Sequence, residues 1–273
     1  MSFQLVFFEN AGDDMTPSRQ PRIGLALSGG AARGIAHIAV LEALEQEGIP
    51  IHAIAGTSAG SVVGAFYCAG MTVREIKEVL LKARWKNVFT FTVPRLGLIS
   101  GEGIFRFMEE HLPIRKFSSL QIPFAAVATD LHTGEKVSLL SGSIARAVQA
   151  SCSLPVIFTP AEINKKLLID GGVSSQVPVR TAREELKADR VVAVNVNYKA
   201  VELDTYDSLL TIAAHLSALW ASRNAREEEK LADVVVNVNA KGIALYDLSH
   251  AEDLLKRGEK AAQDKMAEIR ALI

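Results

Sequence analysis

The sequence predicts an α/β protein with three layers, in which a mainly parallel central sheet carries helices on both faces. Short apolar segments that end at glycine or aspartate alternate along the chain with longer segments of helical periodicity. This alternation is typical of parallel sheets, because two parallel strands need a crossover connection that is usually a helix. The composition is that of an ordinary globular protein, since 49% of the 273 residues are apolar and 22% are charged.

The predicted strands are short, apolar and bounded by turn residues. They are residues 22–30, 49–56, 123–130, 135–140, 166–172, 190–197 and 233–240. The predicted helices repeat apolar residues at every third or fourth position. They are residues 31–48, 58–70, 72–83, 104–112, 143–153, 177–188, 209–232 and 251–273. Thr72 is expected to cap the helix that it precedes.

A single domain is expected over residues 21–273, because no repeat, low-complexity linker or change of composition divides this region. Residues 1–20 are expected to form an N-terminal arm, with an edge strand over FQLVFF as the alternative. They lack the basic leader of a signal peptide. Residues 85–103 contain proline and glycine without clean periodicity, so we expect a lid over a site or an irregular surface loop.

Charge and cysteine content exclude several classes of function. The net charge of −1 gives no field that favours nucleic acid, so no nucleic-acid partner is expected. The two cysteines, Cys68 and Cys152, form neither a CxxC pair nor a metal-binding pattern with histidine. We expect a cytoplasmic protein that needs no metal and no cofactor, with peripheral membrane association as a further option.

The charge-free segment 48–73 is compatible with three mechanisms: a membrane helix, a phosphate-binding loop, or a turn that presents a serine. Its glycines, hydroxyls and Pro50 disfavour a bilayer span, for which leucine, isoleucine, phenylalanine and valine are preferred. A Walker A loop needs a lysine after its second glycine, and none lies between Glu47 and Arg74. The serine turn therefore remains.

The pentapeptide GTSAG, residues 56–60, has the G-x-S-x-G pattern of a nucleophile elbow and lies between a predicted strand and a predicted helix. A sharp strand-to-helix turn exposes the serine, and glycine at positions 56 and 60 avoids Cβ clashes. The N-terminus of the following helix also places positive partial charge near the serine oxygen. Ser58 is therefore the candidate nucleophile.

A second glycine motif, GGAARG at residues 29–34, follows the first predicted strand. Gly29 and Gly30 allow backbone N–H groups to approach a ligand oxygen, as an oxyanion hole requires. A turn that only packs, or one that binds an anion at the helix N-terminus, is the alternative. The serine one strand–helix unit later favours the oxyanion interpretation.

The base that would activate the serine is not decided by position alone. The histidines give weak support: His37 and His215 lie in apolar helix patterns that indicate core packing, and only His132, in a turn, is a fair candidate. Asp170 and Asp130 each end a predicted strand, where ligand sites form at the rim of a parallel sheet. Each aspartate is also explained as a turn cap.

Together these segments resemble the patatin-like phospholipase family in its short bacterial form. The matching segments are GLALSGGAARG (24–34), GTSAG (56–60), ATDLHTG (128–134), SCSLPVIFTP (151–160) and DGG (170–172). The resemblance covers the chain from about residue 22 to its end. Three motifs in this order and at these separations are far more specific than any one of them.

The resemblance implies a Ser-Asp dyad without histidine, with Ser58 as nucleophile and Asp170 as base. It also implies that Gly29, Gly30, Arg33 and Gly34 form the oxyanion loop, in which Arg33 is expected to fix the loop or to meet a lipid phosphate. The expected activity is hydrolysis of acyl esters in phospholipids or related lipids. The alternatives are a lysophospholipase, thioesterase or general esterase, and a catalytically inactive lipid-binding module.

Residues 74–95 suggest how such a protein would approach a lipid. Six basic and two acidic residues give this segment a net charge of +4, and Trp85, Phe89 and Phe91 are interleaved with them. Basic charge with aromatic residues suits a membrane interface. A solvated helix face that runs into a packed loop is an equally good explanation.

Overall fold

The computed structural model describes residues 20–83, 90–91, 97–200, 209–245 and 247–273. Its strands are β1 (Ile23–Leu27), β2 (Ala53–Thr57), β3 (Thr90–Phe91), β4 (Ile99–Ser100), β5 (Phe124–Asp130), β6 (Lys136–Leu139), β7 (Ala161–Ile163), β8 (Lys166–Asp170), β9 (Arg190–Tyr198) and β10 (Val234–Asn239). Its α-helices are α1 (Ala36–Gln46), α2 (Ala59–Cys68), α3 (Val73–Lys82), α4 (Glu102–His111), α5 (Ile144–Ser151), α6 (Leu209–Glu229) and α7 (Ala251–Arg270).

The described residues form an eight-stranded sheet with the order β10-β9-β1-β2-β5-β8-β7, in which β6 also pairs with β5. The five strands from β10 to β5 are parallel, which confirms the predicted mainly parallel sheet. The strands β6, β7 and β8 are antiparallel to their neighbours. Within the segment 85–103, β3 and β4 form a separate antiparallel pair, and residues 84–89 and 92–96 lie outside the described part of the chain.

Side chains that alternate along the strands build a core on each face of the sheet. Leu25 and Leu27 of β1 point into the larger core, which α1, α2, α3 and α7 cover. Ala26 points the other way, into a core made mostly of alanine and valine that includes Ala182 and Ala225 of α6. Helices therefore cover both faces, and the three-layer prediction is confirmed.

Strand β8, which carries Asp170, runs antiparallel to β5, whereas the sequence predicted a parallel strand. In β5, Val127 pairs with Thr57 of β2 on one edge and with Ser138 of β6 on the other. The next residue, Ala128, pairs with β6 and with Asp170 of β8. Because a strand residue has one partner on each edge, β8 lies on the same edge of β5 as β2 and continues where β2 stops. The expectation that Asp170 ends a parallel strand was wrong.

Two predicted helices differ from the structure. Residues 31–48 form a 3-10 helix at Ala31–Ile35 before α1 begins. Residues 177–188 were predicted as one helix, but contain a five-residue π-helical turn at Thr181–Glu185. Pro178 lacks an N–H and disfavours a helical conformation at the residue before it, so the helical region is short.

The predicted cap at Thr72 is confirmed, and Gly64 allows a close contact between α2 and the sheet. The Thr72 hydroxyl accepts a hydrogen bond from the Glu75 N–H at 3.2 Å, and Glu75 accepts one from the Thr72 N–H at 2.8 Å, which completes a capping box. At Gly64, a Cβ would lie 2.9 Å from Ile54 and 3.1 Å from the Phe124 ring, so glycine allows α2 to pack closely on the sheet.

In the described part of the chain, no helix combines the length and the apolar composition needed to cross a membrane. The segment 48–73 accordingly contains β2 and α2, both packed in the core. The proposed N-terminal arm, residues 1–20, lies outside the described residues except for Gln20. The boundary between arm and domain stays a prediction.

Candidate active site

Ser58 lies at the sharp turn between β2 and α2. Its φ of 50° and ψ of −121° are unusual for a residue with a side chain, so the surrounding structure must hold this turn in place. A Cβ on Gly60 would lie 2.3 Å from the Leu27 carbonyl oxygen, and one on Gly56 would lie 2.5 Å from the Gly60 oxygen. Glycine at both positions is therefore a steric requirement of this elbow.

Hydrogen bonds fix the backbone of the elbow. The Ser58 N–H donates to Ser151 Oγ at 2.9 Å, and Ser151 Oγ donates to the Val127 carbonyl at 2.5 Å. The Ser61 hydroxyl donates to the Ser58 carbonyl at 2.6 Å. Ser58 itself lines the cavity described below.

The structure brings Asp170 beside Ser58. Since β8 continues the edge of β5 where β2 ends, Asp170 pairs with the residue that follows the partner of Thr57. A Cβ on Gly171 would lie 3.1 Å from Thr57 and 2.2 Å from the Val127 oxygen, so glycine is needed for this close approach. The Asp170 carboxylate accepts a hydrogen bond of 2.8 Å from the Gly172 N–H, and it lies close enough to the Ser58 side chain for Ser58 to lower its pKa.

Burial controls the protonation of Asp170. Only 4% of the residue is exposed, and this burial raises the pKa of its carboxyl to about 6, against the lowering effect of the hydrogen bonds from Gly172 and Ser58. Desolvation disfavours the charged form of a carboxyl group. Asp170 is therefore ionised at neutral pH, yet is a stronger base than an exposed aspartate.

Asp130, the other candidate for the base, stabilises a turn instead. Its carboxylate accepts a hydrogen bond from the His132 N–H at 2.9 Å and pairs with Lys166 at 3.3 Å. These interactions, the His132 N–H bond first, lower the pKa of Asp130. Neither Asp130 nor His132 is among the residues that line the cavity beside Ser58.

Two other histidines differ in environment. His37 is completely buried, its Nε2 lies 2.8 Å from the Ser28 carbonyl, and burial lowers its pKa to about 4, so it is a neutral core residue. His215 was also expected to pack in the core, but it is half-buried on α6 and lines the cavity. The helical pattern could not separate a core-facing from a cavity-facing position.

The loop at Gly29 and Gly30 lies against the elbow, because a Cβ on Gly29 would be 3.2 Å from Ser58 Cβ. The Gly29 N–H, expected as an oxyanion donor, instead donates to the Gln176 carbonyl at 3.1 Å. Among the described residues, the N–H groups of Gly30 and Ala31 have no hydrogen-bond partner, and both residues line the cavity. These two amides are the donors that the loop can offer.

The side chains of Gln176 and Asn197 hold this loop by hydrogen bonds. The Gly29 carbonyl accepts hydrogen bonds from Gln176 Nε2 at 3.1 Å and from Asn197 Nδ2 at 2.6 Å. Arg33 donates to the Asn197 carboxamide at 3.0 Å and to the Ile243 carbonyl at 2.7 Å and 3.1 Å. Burial lowers the pKa of Arg33 to about 10, so it stays charged. Arg33 holds the loop in place.

Gly34 has a steric role at the start of the helix that follows the loop. A Cβ at this position would lie 2.4 Å from the Cβ of Ala59, the residue after the serine. Gly34 thus allows the glycine loop and the elbow to approach each other.

A cavity of about 840 Å³ opens beside Ser58 and Asp170. Its lining includes aliphatic and aromatic side chains of α2, α3 and α4, which make up its apolar part, and residues of β9 and α6, among them Asn195, Asn197 and Ser222. Cys152 also lines the cavity, but burial raises the pKa of its thiol to about 12, so it remains protonated and a poor nucleophile.

A comparison with known families decides the relationship. The family model for patatin-like phospholipase matches residues 25–183, a region that holds both glycine motifs, Ser58 and Asp170. The chain belongs to the patatin-like phospholipase family. The resemblance that the motifs indicate is thereby confirmed.

Relatives of this patatin-like chain include longer proteins. An NTE family protein of Mycobacterium tuberculosis is 32% identical over 249 residues, which cover 88% of this chain and 62% of that protein. A lysophospholipase NTE1 of Cryptococcus neoformans is 33% identical over 177 residues, 63% of this chain and 11% of that protein. The patatin-like chain thus spans less than two thirds of the length of these relatives.

The fold of the patatin-like chain also resembles that of VipD from Legionella pneumophila. The TM-score is 0.59 at 14% sequence identity, and the match covers 92% of this chain and 67% of VipD. At this identity the likeness concerns the fold alone.

Three site residues escaped the sequence analysis. Ser151 supports the elbow, and Gln176 and Asn197 hold the glycine loop. Asn197 ends a predicted strand at the rim where sites form, which was a usable signal. Ser151 lies at the C-terminal end of α5 and begins the family-like segment 151–160, but the resemblance gave it no role.

Proposed function

We propose that the protein is a serine acyl hydrolase that cleaves fatty-acyl esters of phospholipids or related lipids. The observation that carries this proposal is the contact between a half-buried serine hydroxyl, on a strained elbow, and a buried carboxylate at the wall of a large apolar cavity. The family membership supports the same reaction class.

The proposed mechanism uses Ser58 as nucleophile and Asp170 as general base. Asp170 takes the hydroxyl proton while Ser58 Oγ attacks the ester carbonyl, and the proton then passes to the leaving alcohol. Asp170 next removes a proton from water, which attacks the acyl-enzyme, and it returns that proton to Ser58 Oγ as the bond between Ser58 and the fatty acid breaks. A pKa near 6 suits this role, because a general base works best when its pKa lies close to the working pH.

Stabilisation of the oxyanion is assigned to the N–H groups of Gly30 and Ala31, which line the cavity and are unpaired within the described residues. Loss of one such donor typically costs about 10²–10³ in rate. The proposed role of Gly29, Arg33 and Gly34 is to position this loop.

The apolar part of the cavity favours a long acyl chain. On α2, half-buried Val62 and buried Val63 line the cavity, and Phe66, about one turn further along, is fully buried. Phe66 meets Phe107 of α4 edge-on, with the ring centroids 6.2 Å apart, and Phe107 lines the cavity. The acyl chain would therefore lie along α2 and end near Phe107. Lysophospholipids, thioesters and simple esters remain alternative substrates within this class.

We also propose peripheral membrane contact through residues 74–95, of which the structure describes residues 74–83, 90 and 91. In α3, Glu78 pairs with Arg74 and with Lys82, both at 3.2 Å, so two of the basic residues are already partnered. Arg84, Trp85, Lys86, Phe89 and Arg95 have no described side chain. Sedimentation with vesicles, comparing the wild type with a Lys82/Lys86 charge-reversal variant, tests this contact, and equal pelleting would contradict it.

The test of the function is hydrolysis of a soluble p-nitrophenyl ester. We expect Ser58→Ala and Asp170→Asn each to abolish turnover while circular dichroism stays native. Asp130→Asn is the matched control, since Asp130 also ends a strand but lies in a turn outside the cavity. Turnover at the wild-type rate by Asp170→Asn would contradict the proposed dyad. If the wild type hydrolysed no ester, the inactive lipid-binding module would be favoured.

A further inference from the structure

Helix α6 carries a stripe of large apolar side chains that point into solvent. Ile212, Leu216, Leu219 and Trp220 are 41%, 60%, 45% and 59% exposed. Their spacing of i, i+4, i+7 and i+8 places them on one face of the helix. Single exposed apolar residues are common on protein surfaces, but a continuous stripe of four indicates an interaction site.

The opposite face of the same helix belongs to the proposed active-site cavity. Ala218, Ala221, Ser222 and Ala225 of α6 line the cavity. Asn224 donates a hydrogen bond of 2.6 Å to the Val173 carbonyl, in the 3-10 turn that directly follows Asp170. One helix thus separates the cavity from the stripe and is anchored to the turn beside the base.

Other exposed apolar residues are sequence neighbours of residues that line the cavity. Leu81, Val156 and Tyr198 are 43%, 50% and 40% exposed, and each follows or precedes a residue that lines the cavity. Val156 has a φ of 71°, which a β-branched residue rarely adopts. Much of the exposed apolar surface of the described residues therefore lies along the segments that form the cavity.

The charge of α6 favours one kind of partner. From residue 209 to residue 226 the helix contains no aspartate or glutamate, and it contains the exposed Arg223 and Arg226. Arg223 continues the stripe, since it lies three residues after Trp220 and seven after Leu216. Of the three acidic residues that follow, Glu228 accepts the Arg180 N–H and Glu229 accepts the Asn195 amide, so both are directed inward. The third, Glu227, is exposed and pairs with Lys230 at 2.8 Å.

We propose that the Ile212–Trp220 stripe of α6 docks on an anionic lipid surface, with Arg223 at the level of the head groups. An amphipathic helix with tryptophan and leucine on one face and arginine beside them lies in the plane of a membrane interface. The inference rests on the proposed function, because a lipid hydrolase must take its substrate from an aggregate. Docking of α6 would bring the lipid surface against the outer wall of the cavity.

The experiment compares a Leu216→Ser/Trp220→Ser variant with the matched control Leu131→Ser. Leu131 is 43% exposed but lies in the turn after β5, away from the cavity. Both variants change exposed side chains, so native circular dichroism and thermal stability are expected. Partition into vesicles of phosphatidylcholine with phosphatidylglycerol is measured by sedimentation, and turnover of a soluble p-nitrophenyl ester is measured in parallel.

We expect the double variant to partition at least about tenfold more weakly than the wild type, with the control unchanged and with soluble-ester turnover unchanged in both. Arg223→Glu should weaken binding to vesicles that contain phosphatidylglycerol and have less effect on pure phosphatidylcholine. Soluble-ester turnover reports the proposed function and vesicle partition reports the docking, so the two can fail separately.

Equal partition of the double variant and the wild type would overturn the proposal, as would absence of wild-type binding to these vesicles. Light scattering addresses the competing explanation. If the wild type were a dimer, the double variant a monomer, and vesicle binding the same in both, the stripe would be a contact between two copies of the chain and the lipid proposal would be wrong.

Discussion

Asp170→Asn should inactivate the protein and stabilise it at the same time. In the folded protein, burial raises the pKa of Asp170 from 3.8 to about 6. A folded-state pKa above the unfolded value means that ionisation of this group opposes folding. The shift of about two units corresponds to about 3 kcal/mol, and this destabilisation is fully present above pH 6. An uncharged asparagine removes it and keeps an oxygen that can accept the Gly172 N–H.

The destabilisation has a defined pH window. It decreases as the pH falls through 6, is about 0.5 kcal/mol at pH 4, and disappears below the unfolded value of 3.8. At pH 8 we therefore expect Asp170→Asn to unfold about 6–12 °C above the wild type. At pH 4 the two proteins should unfold at nearly the same temperature.

Differential scanning calorimetry at pH 8 and pH 4 measures the difference in unfolding temperature between Asp170→Asn and the wild type at each pH. Asp130→Asn is the control with the opposite sign, because interactions lower the pKa of Asp130 and its ionised form supports the fold. It should be less stable than the wild type at pH 8. The reasoning about Asp170 would be refuted if Asp170→Asn were less stable than the wild type at pH 8, or if the difference did not depend on pH.

Four further predictions concern the same site. The kcat/KM of the wild type should fall about tenfold for each pH unit below 6, as Asp170 becomes protonated, and a flat profile down to pH 4 would contradict its role as base. Gly60→Ala should lower the free energy of unfolding in urea by about 1–3 kcal/mol or more, because its Cβ would lie 2.3 Å from the Leu27 oxygen; an unchanged urea midpoint would show that the elbow tolerates a side chain. Gln176→Ala should lower kcat on the order of 10–100-fold with little change in KM, because it releases the Gly29 carbonyl, whereas a pure KM effect would place Gln176 in substrate binding. For p-nitrophenyl esters, kcat/KM should rise about fourfold per added methylene until the apolar part of the cavity is filled. Val63→Phe should shift the optimal acyl-chain length to shorter chains, and the same optimal length in both proteins would contradict the proposed path along α2.

The sequence was sufficient for those parts of the fold that follow from local periodicity. The parallel strands β1, β2 and β5 and the elbow helix α2 follow from apolar runs, glycine turns and helical spacing. The direction of β8 does not, because a five-residue apolar strand has the same pattern whether it runs parallel or antiparallel to its neighbour. Only the long-range pairing with β5 decides it, and this pairing is what places Asp170 beside Ser58.

The candidate site was predictable in its motifs and not in its hydrogen bonds. The glycine loop and Ser58 could be found from their spacing, and the choice of Asp170 over Asp130 came from the family resemblance. The occupied N–H of Gly29 could not be foreseen, since its acceptor is the carbonyl of Gln176, 147 residues away. Ser151 and Asn197 act through contacts of the same long range.

Covalent labelling with an alkyl fluorophosphonate, followed by peptide mapping, tests the central claim most directly. The reagent phosphonylates a serine that an adjacent base activates. We predict a stoichiometric label on Ser58 at pH 8, a slower reaction at pH 5 because Asp170 becomes protonated, and no label in Ser58→Ala. Labelling of Ser61 or of another serine, or failure of the native protein to react, would contradict the Ser58–Asp170 account.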